Sequence, residues 1–127
     1  MKRICILGST GSIGTQALEV IDLHKDLFEA HTLTAGNNAD LLIAQARKFQ
    51  PDTVVIANED KYDYVVKSLA DLPIKVYAGS KAISEVVCNS EVDIVLTAMV
   101  GFSGLIPTIE AIKSRKVIAL ANKETLV

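Results

Sequence analysis

Cysteine is scarce, long apolar runs are missing and neither sign of charge dominates, and each shortage removes a class of protein. The two cysteines, Cys5 and Cys88, have neither the density nor the spacing of a disulfide or zinc framework, so both read as reduced thiols of core type. No stretch approaches the roughly 18 consecutive apolar residues of a membrane-spanning helix. The Met-Lys-Arg start leads into a segment too short for a signal sequence, so no membrane partner and a cytoplasmic location are expected. Lysine and arginine number 13 against 15 acidic residues, a net charge of −2, which lacks the basic footprint of a nucleic-acid binder. His24 and His31 have no second ligand at metal spacing and read as solvated or capping histidines, leaving no metal site. No internal repeat or low-complexity linker interrupts the chain.

What is present is regular alternation. With 127 residues, half of them hydrophobic and 22% charged, the chain suits one domain that buries roughly two-thirds of its unfolded surface. Apolar or β-branched runs at 3–7, 28–35, 53–57, 75–78, 93–98 and 117–121 read as strands. Between them lie five helical stretches. The first carries Ile13, Ala17, Leu18, Val20 and Ile21 on one face, with Ser12 as its expected cap. The second runs from Asn38 and Asp40 through Leu41, Leu42, Ile43, Ala44, Ala46 and Phe49 to a stop at Pro51. Tyr62, Val65, Val66 and Leu69 mark the third, Ile83, Val86 and Val87 the fourth, and Leu105, Ile106, Ile109 and Ile112 the fifth. Six strands and five helices with short connections predict an α/β fold, a doubly wound parallel sheet with helices on both faces, with strand order 3-2-1-4-5-6.

The most informative stretch is Gly8-Ser9-Thr10-Gly11-Ser12-Ile13-Gly14, directly after the first strand. Glycines at 8, 11 and 14 permit positive φ, close approach to a pyrophosphate and tight helix packing, and the first helical amides point at an anion. No Gly-Lys-Ser/Thr follows, which excludes a triphosphate-hydrolysing loop. The spacing is GxxGxxG, not the commoner GxGxxG, and an ordinary strand-to-helix connection is the bland alternative. At the end of the second strand an NAD site places Asp or Glu, whereas this chain has Thr34-Ala35-Gly36-Asn37-Asn38. An uncharged turn tolerates a 2′-phosphate that a carboxylate would repel, which points to NADP(H), with a plain helix-capping turn as the alternative. Two further loops face the mouth of such a sheet: residues 99–104, and Asn122-Lys123-Glu124. In the second, Asn122 and Glu124 also suit a helix cap and first turn, and Lys123 a surface charge.

Four blocks together resemble a known family: Leu7 to Gly14, Ala35-Gly36-Asn37-Asn38, Ala98-Met99-Val100-Gly101-Phe102-Ser103-Gly104-Leu105-Ile106-Pro107-Thr108, and Leu120-Ala121-Asn122-Lys123-Glu124-Thr125-Leu126-Val127. They are similar to the amino-terminal NADPH-binding domain of 1-deoxy-D-xylulose 5-phosphate reductoisomerase. That resemblance implies NADPH-dependent rearrangement and reduction of 1-deoxy-D-xylulose 5-phosphate to 2-C-methyl-D-erythritol 4-phosphate, in non-mevalonate isoprenoid synthesis. It also implies a divalent metal, Mg or Mn, and a cytoplasmic or plastidial homodimer.

Carried over by position, the resemblance assigns Thr10, Gly11, Ser12 and Ile13 to the pyrophosphate and nicotinamide, and Gly36, Asn37 and Asn38 to the 2′-phosphate. Asn122 and Glu124 would complete the cofactor site, with Lys123 reaching the phosphorylated sugar. Many family members carry Lys or Arg where Asn37 stands, so selectivity for NADPH is expected to be smaller here. Residues 1–127 are thus expected to be a cofactor-binding domain that is inactive alone. The catalytic, metal-binding and carboxyl-terminal domains would lie in a longer parent. The rivals are another GxxGxxG reductase, resembling dihydrodipicolinate reductase or a semialdehyde dehydrogenase, and a free-standing dinucleotide-sensing module.

Overall fold

The computed structural model describes residues 1–98, 107, 114 and 116–120. Its strands are β1 (Lys2–Leu7), β2 (Phe28–Ala35), β3 (Thr53–Ile56), β4 (Lys75–Ala78), β5 (Ile94–Thr97) and β6 (Val117–Leu120). Four helices alternate with them: α1 (Ser12–Leu23), α2 (Ala39–Phe49), α3 (Tyr62–Ser68) and α4 (Ser80–Val86). A 3-10 turn, Glu59–Lys61, precedes α3, and Asn58 caps it by accepting from the Asp60 amide. The expected fifth helix lies outside the described residues, apart from isolated positions within it.

All pairings are parallel, in the order β4-β3-β2-β1-β5-β6. The expected order is corrected at one place, because β4 sits outside β3 and not beside β1. The reason lies in which face each connection covers. Val65 of α3 and Leu69 just beyond it share one core with Leu18 and Ile21 of α1 and Leu42 and Ala46 of α2, so the third connection continues the same right-handed winding outward. Among the described helices, α4 alone changes face. Its Ile83, with Val87 just beyond, packs against Cys5, Leu7, Val55 and Val95 on the opposite side of the sheet, and the chain then returns to place β5 against β1. β4 itself has the alternation of a half-covered edge, with Lys75 and Tyr77 exposed and Val76 and Ala78 turned inward.

Alternation along β1 supplies both cores. Ile4 and Ile6 face α1 and α2, while Cys5 and Leu7 face α4. Each fully buried side chain of this size contributes about 1.5–3 kcal/mol of transfer free energy. The near-continuous apolar run of a parallel strand therefore reflects two covered faces. β2 departs from strict alternation because Ile4 pairs with Ala30 and Cys5 with Thr32, leaving His31 as the extra residue of a bulge. At the far edge, Lys116 donates to the carbonyls of Asn89 and Val92, both at 2.6 Å, and ties the start of β6 to the corner before β5.

Candidate functional site

The winding reverses between β1 and β5, and the crevice of a doubly wound sheet opens at the carboxyl edge of such a pair. The turn leaving β1 stands there. Gly8 holds φ at 87°, in the left-handed region that side chains rarely adopt, and its amide donates to Thr34 Oγ1 at 3.0 Å. Ser9 is completely buried, its amide donating to the Thr34 carbonyl at 2.8 Å. Beyond it Thr10 is half-buried, and Gly11, Ser12 and Ile13 are exposed.

Helix α1 starts at Ser12, so the expected cap is corrected by one position. Gly11 occupies the capping site with extended φ and ψ of −78° and 176°, and no side chain caps the helix. Glycine has no side-chain oxygen to offer. The first amides of α1 are left without an intrahelical partner, at the exposed stretch Gly11-Ser12-Ile13. Gly14 explains why the third glycine is required. A Cβ there would lie 2.1 Å from the Gly8 carbonyl oxygen and 2.6 Å from Ser9 Cα, so α1 rests directly on the backbone of the turn.

The second turn, Gly36-Asn37-Asn38, leaves β2 beside the first, since Leu7 pairs with Thr34. All three residues are exposed. Asn38 caps α2 by accepting from the Leu41 amide at 3.1 Å, and Asn37 Oδ1 accepts from Asn58 Nδ2 at 3.0 Å. Space around Gly36 is open, with no atom within 4 Å of a Cβ built there. No carboxylate ends β2. Asp40, in the first turn of α2, accepts a hydrogen bond from the Tyr64 hydroxyl, and that bond pushes the phenol above its ordinary pKa. Residues 99–104 and Asn122, Lys123 and Glu124 lie outside the described residues.

The supporting roles of four residues escaped the sequence reading. Ser9 and Gln45 form a reciprocal pair, the Ser9 hydroxyl donating to Gln45 Oε1 at 2.8 Å and Gln45 Nε2 donating to the Ser9 carbonyl at 2.9 Å. Thr34 hangs the glycine turn from β2, and Asn58 braces Asn37. Only Gln45 left a trace in the sequence, as a polar residue inside the apolar stripe of Leu42 and Ala46.

Two other expectations are corrected. Cys88 is exposed, because seven-residue α4 buries only a narrow stripe, whereas Cys5 is fully buried and its thiol is pushed up to about 12 by burial. His24 ends α1 in solvent, but His31 is buried, with Nδ1 2.8 Å from Thr32 Oγ1 and Nε2 2.9 Å from Glu91 Oε2. Asp52 Oδ2 lies 3.9 Å from the same nitrogen. Tertiary structure thus gathers a His and two carboxylates that have no local spacing. The group lies at the amino ends of β3 and β5, at the edge of the sheet opposite the glycine turn.

A glycine turn opening a helix amino terminus at the switch of a doubly wound parallel sheet defines the class, an α/β domain of the Rossmann-like NAD(P)-binding type. Comparison with known proteins narrows this. The model of the 1-deoxy-D-xylulose 5-phosphate reductoisomerase family matches residues 4–127, and the chain belongs to that family. Its sequence is 67% identical over 126 residues to the reductoisomerase of Bacteroides thetaiotaomicron, covering 99% of this chain and 32% of that protein. It is 49% identical to that of Chloroherpeton thalassium, covering 33% of it. The chain therefore spans about a third of the length of these relatives. Among solved structures, the Zymomonas mobilis enzyme in complex with NADPH superimposes with a TM-score of 0.92 at 34% identity, covering 98% of this chain and 33% of that one. A DOX-P reductoisomerase bound to NADPH, fosmidomycin and magnesium gives 0.94, also at 34% identity, covering 99% and 31%.

Proposed function

We propose that this chain is an NADPH-binding domain, serving a reductoisomerase that converts 1-deoxy-D-xylulose 5-phosphate to 2-C-methyl-D-erythritol 4-phosphate. The observation that carries the reading is the amino end of α1, left without a side-chain cap beside an uncharged, open Gly36-Asn37-Asn38 turn. The first offers amides and a positive dipole end to a pyrophosphate. The second has room for a 2′-phosphate and no carboxylate at the end of β2 to repel it.

In this reading Thr10, Gly11, Ser12 and Ile13 hold the pyrophosphate and the approach to the nicotinamide. Gly36, Asn37 and Asn38 surround the 2′-phosphate, with Asn37 steadied by Asn58. Asn122 and Glu124 complete the cofactor site, and Lys123 reaches the phosphorylated sugar. NADPH, when bound, supplies the hydride for the reduction. The contribution of the described residues is to fix where the dinucleotide lies, because hydride transfer depends on orientation. A divalent metal, Mg or Mn, the remaining substrate contacts and a homodimer interface belong to the longer enzyme, which works in the cytoplasm. The 127 residues alone bind cofactor and turn over no substrate.

Calorimetric titration of the chain with NADPH and with NADH tests the reading. NADPH is expected to bind more tightly. Failure of both to bind, or tighter binding of NADH, overturns it.

A further inference from the structure

Gln45 is 6% exposed and Ser9 is not exposed at all, yet neither reaches the cofactor crevice; they satisfy each other. Two hydrogen bonds of opposite sense join them, amide to carbonyl and hydroxyl to amide oxygen, at 2.9 and 2.8 Å. Such a pair fixes both distance and orientation, as a single bond does not. The two residues belong to the two elements that carry the phosphate-binding turns. Ser9 is part of the glycine turn itself. Gln45 stands seven residues along α2 from its cap Asn38, about 10 Å up a rigid helix. The glycine turn hangs from Thr34, and the second turn follows Thr34 by two residues, so their roots are already fixed by β2. Leu42 and Ala46 hold α2 on the sheet through the shared core, and the Gln45–Ser9 pair adds a direct, oriented tie from α2 to the glycine turn itself.

We infer that Gln45 is a positioning residue that sets the spacing between the pyrophosphate and 2′-phosphate subsites, and through it the affinity for the whole dinucleotide. The inference rests on the NADPH reading above and assigns it a specificity determinant outside the cofactor contacts. A ligand that spans both turns senses their separation, whereas a ligand confined to one turn does not.

The test compares NADPH with adenosine 2′-monophosphate, which reports on the second turn alone, for the full chain and for Q45L and S9A/Q45L. Q45L strands the Ser9 carbonyl and leaves the Ser9 hydroxyl only its longer bond to the Thr34 carbonyl, at 3.3 Å, while the double variant removes that hydroxyl and recovers part of the thermal midpoint. Q45L is expected to weaken NADPH binding about tenfold, the equivalent of one buried polar mismatch, with binding of the monophosphate nearly unchanged. The double variant is expected to regain stability without regaining NADPH affinity. If Q45L does not fold, Q45E serves instead, since it keeps an acceptor for the Ser9 hydroxyl and loses the donor to the Ser9 carbonyl.

Unchanged NADPH affinity, equal weakening for both ligands, or an affinity that returns together with stability would each refute the positioning role. Absence of NADPH binding by the unaltered chain brings down the functional reading itself and the inference with it. Binding by the unaltered chain with no effect of Q45L overturns only the inference.

Discussion

Replacing Gly14 by alanine opposes two effects of known size. Gly14 lies within α1, where alanine gains about 1 kcal/mol of helix propensity. Against this, the new methyl would sit 2.1 Å from the Gly8 oxygen, 2.6 Å from Ser9 Cα and 2.8 Å from the Ser9 carbonyl carbon. All three are backbone atoms, so no rotamer change relieves the contact. The start of α1 must withdraw by on the order of 1 Å, an overpacking that costs about 3 kcal/mol at the upper end of the usual range. The net loss is about 2 kcal/mol, a fall of roughly 8 °C in thermal midpoint for a chain of this size. NADPH affinity falls further. Withdrawing two charge-assisted amide contacts of about 1.5 kcal/mol each weakens binding at least about 100-fold. Differential scanning fluorimetry and calorimetric titration measure the two effects, with G36A as control for the melting arm alone, since its Cβ meets nothing within 4 Å. A G14A protein that melts within about 1 °C of the parent and binds NADPH within about twofold refutes the tight seat of α1 on the turn.

Other expectations follow from single contacts. N37K places a cation at the 2′-phosphate turn and is expected to tighten NADPH by roughly fivefold while leaving NADH unchanged, as competitive titration would reveal. N38A removes the α2 cap and is expected to cost about 1 kcal/mol, read as a lower urea midpoint at unchanged m-value. Cys5 gives a pH dependence of definite sign. Its thiol ionises near its ordinary value of 9.0 when unfolded and only at about 12 when folded, so the folded chain binds more protons between those limits. Its stability is complete below pH 9 and declines as pH rises towards 12, by up to about 1.4 kcal/mol per unit. C5A is expected to lose this component of the slope in urea titrations between pH 8 and pH 11, and an identical slope would contradict the assignment.

Local pattern made the strands, the helices and the glycine turn legible, because each depends on residues near in sequence. β1 read as a doubly covered strand from residues 3–7, and α2 from its spacing and its cap at Asn38. Strand order was less accessible. Periodicity tells which face of an element is apolar but not on which side of the sheet the next connection passes, and α3 and α4 have similar short stripes. The alternation of Lys75, Val76, Tyr77 and Ala78 did carry the edge position of β4. Within the candidate site, the exposed turns were visible and their supports were not. Ser9, Thr34 and Gln45 meet across 25 and 36 positions, and His31 meets Glu91 across 60. No local spacing records such partnerships.

The change of face at α4 also has a consequence in time. One face of the sheet is covered by α1, α2 and α3, all of which precede residue 69, while the other face waits for α4. During synthesis or refolding, Ile4 and Ile6 can be enclosed while Cys5 and Leu7 are still wet. A nascent chain released only as far as residue 69 holds every helix of the first face and none of the second, so Leu7, Val55 and the base of the glycine turn have no cover on that side. Pulsed thiol labelling at Cys5 during refolding would time the closing of that second face.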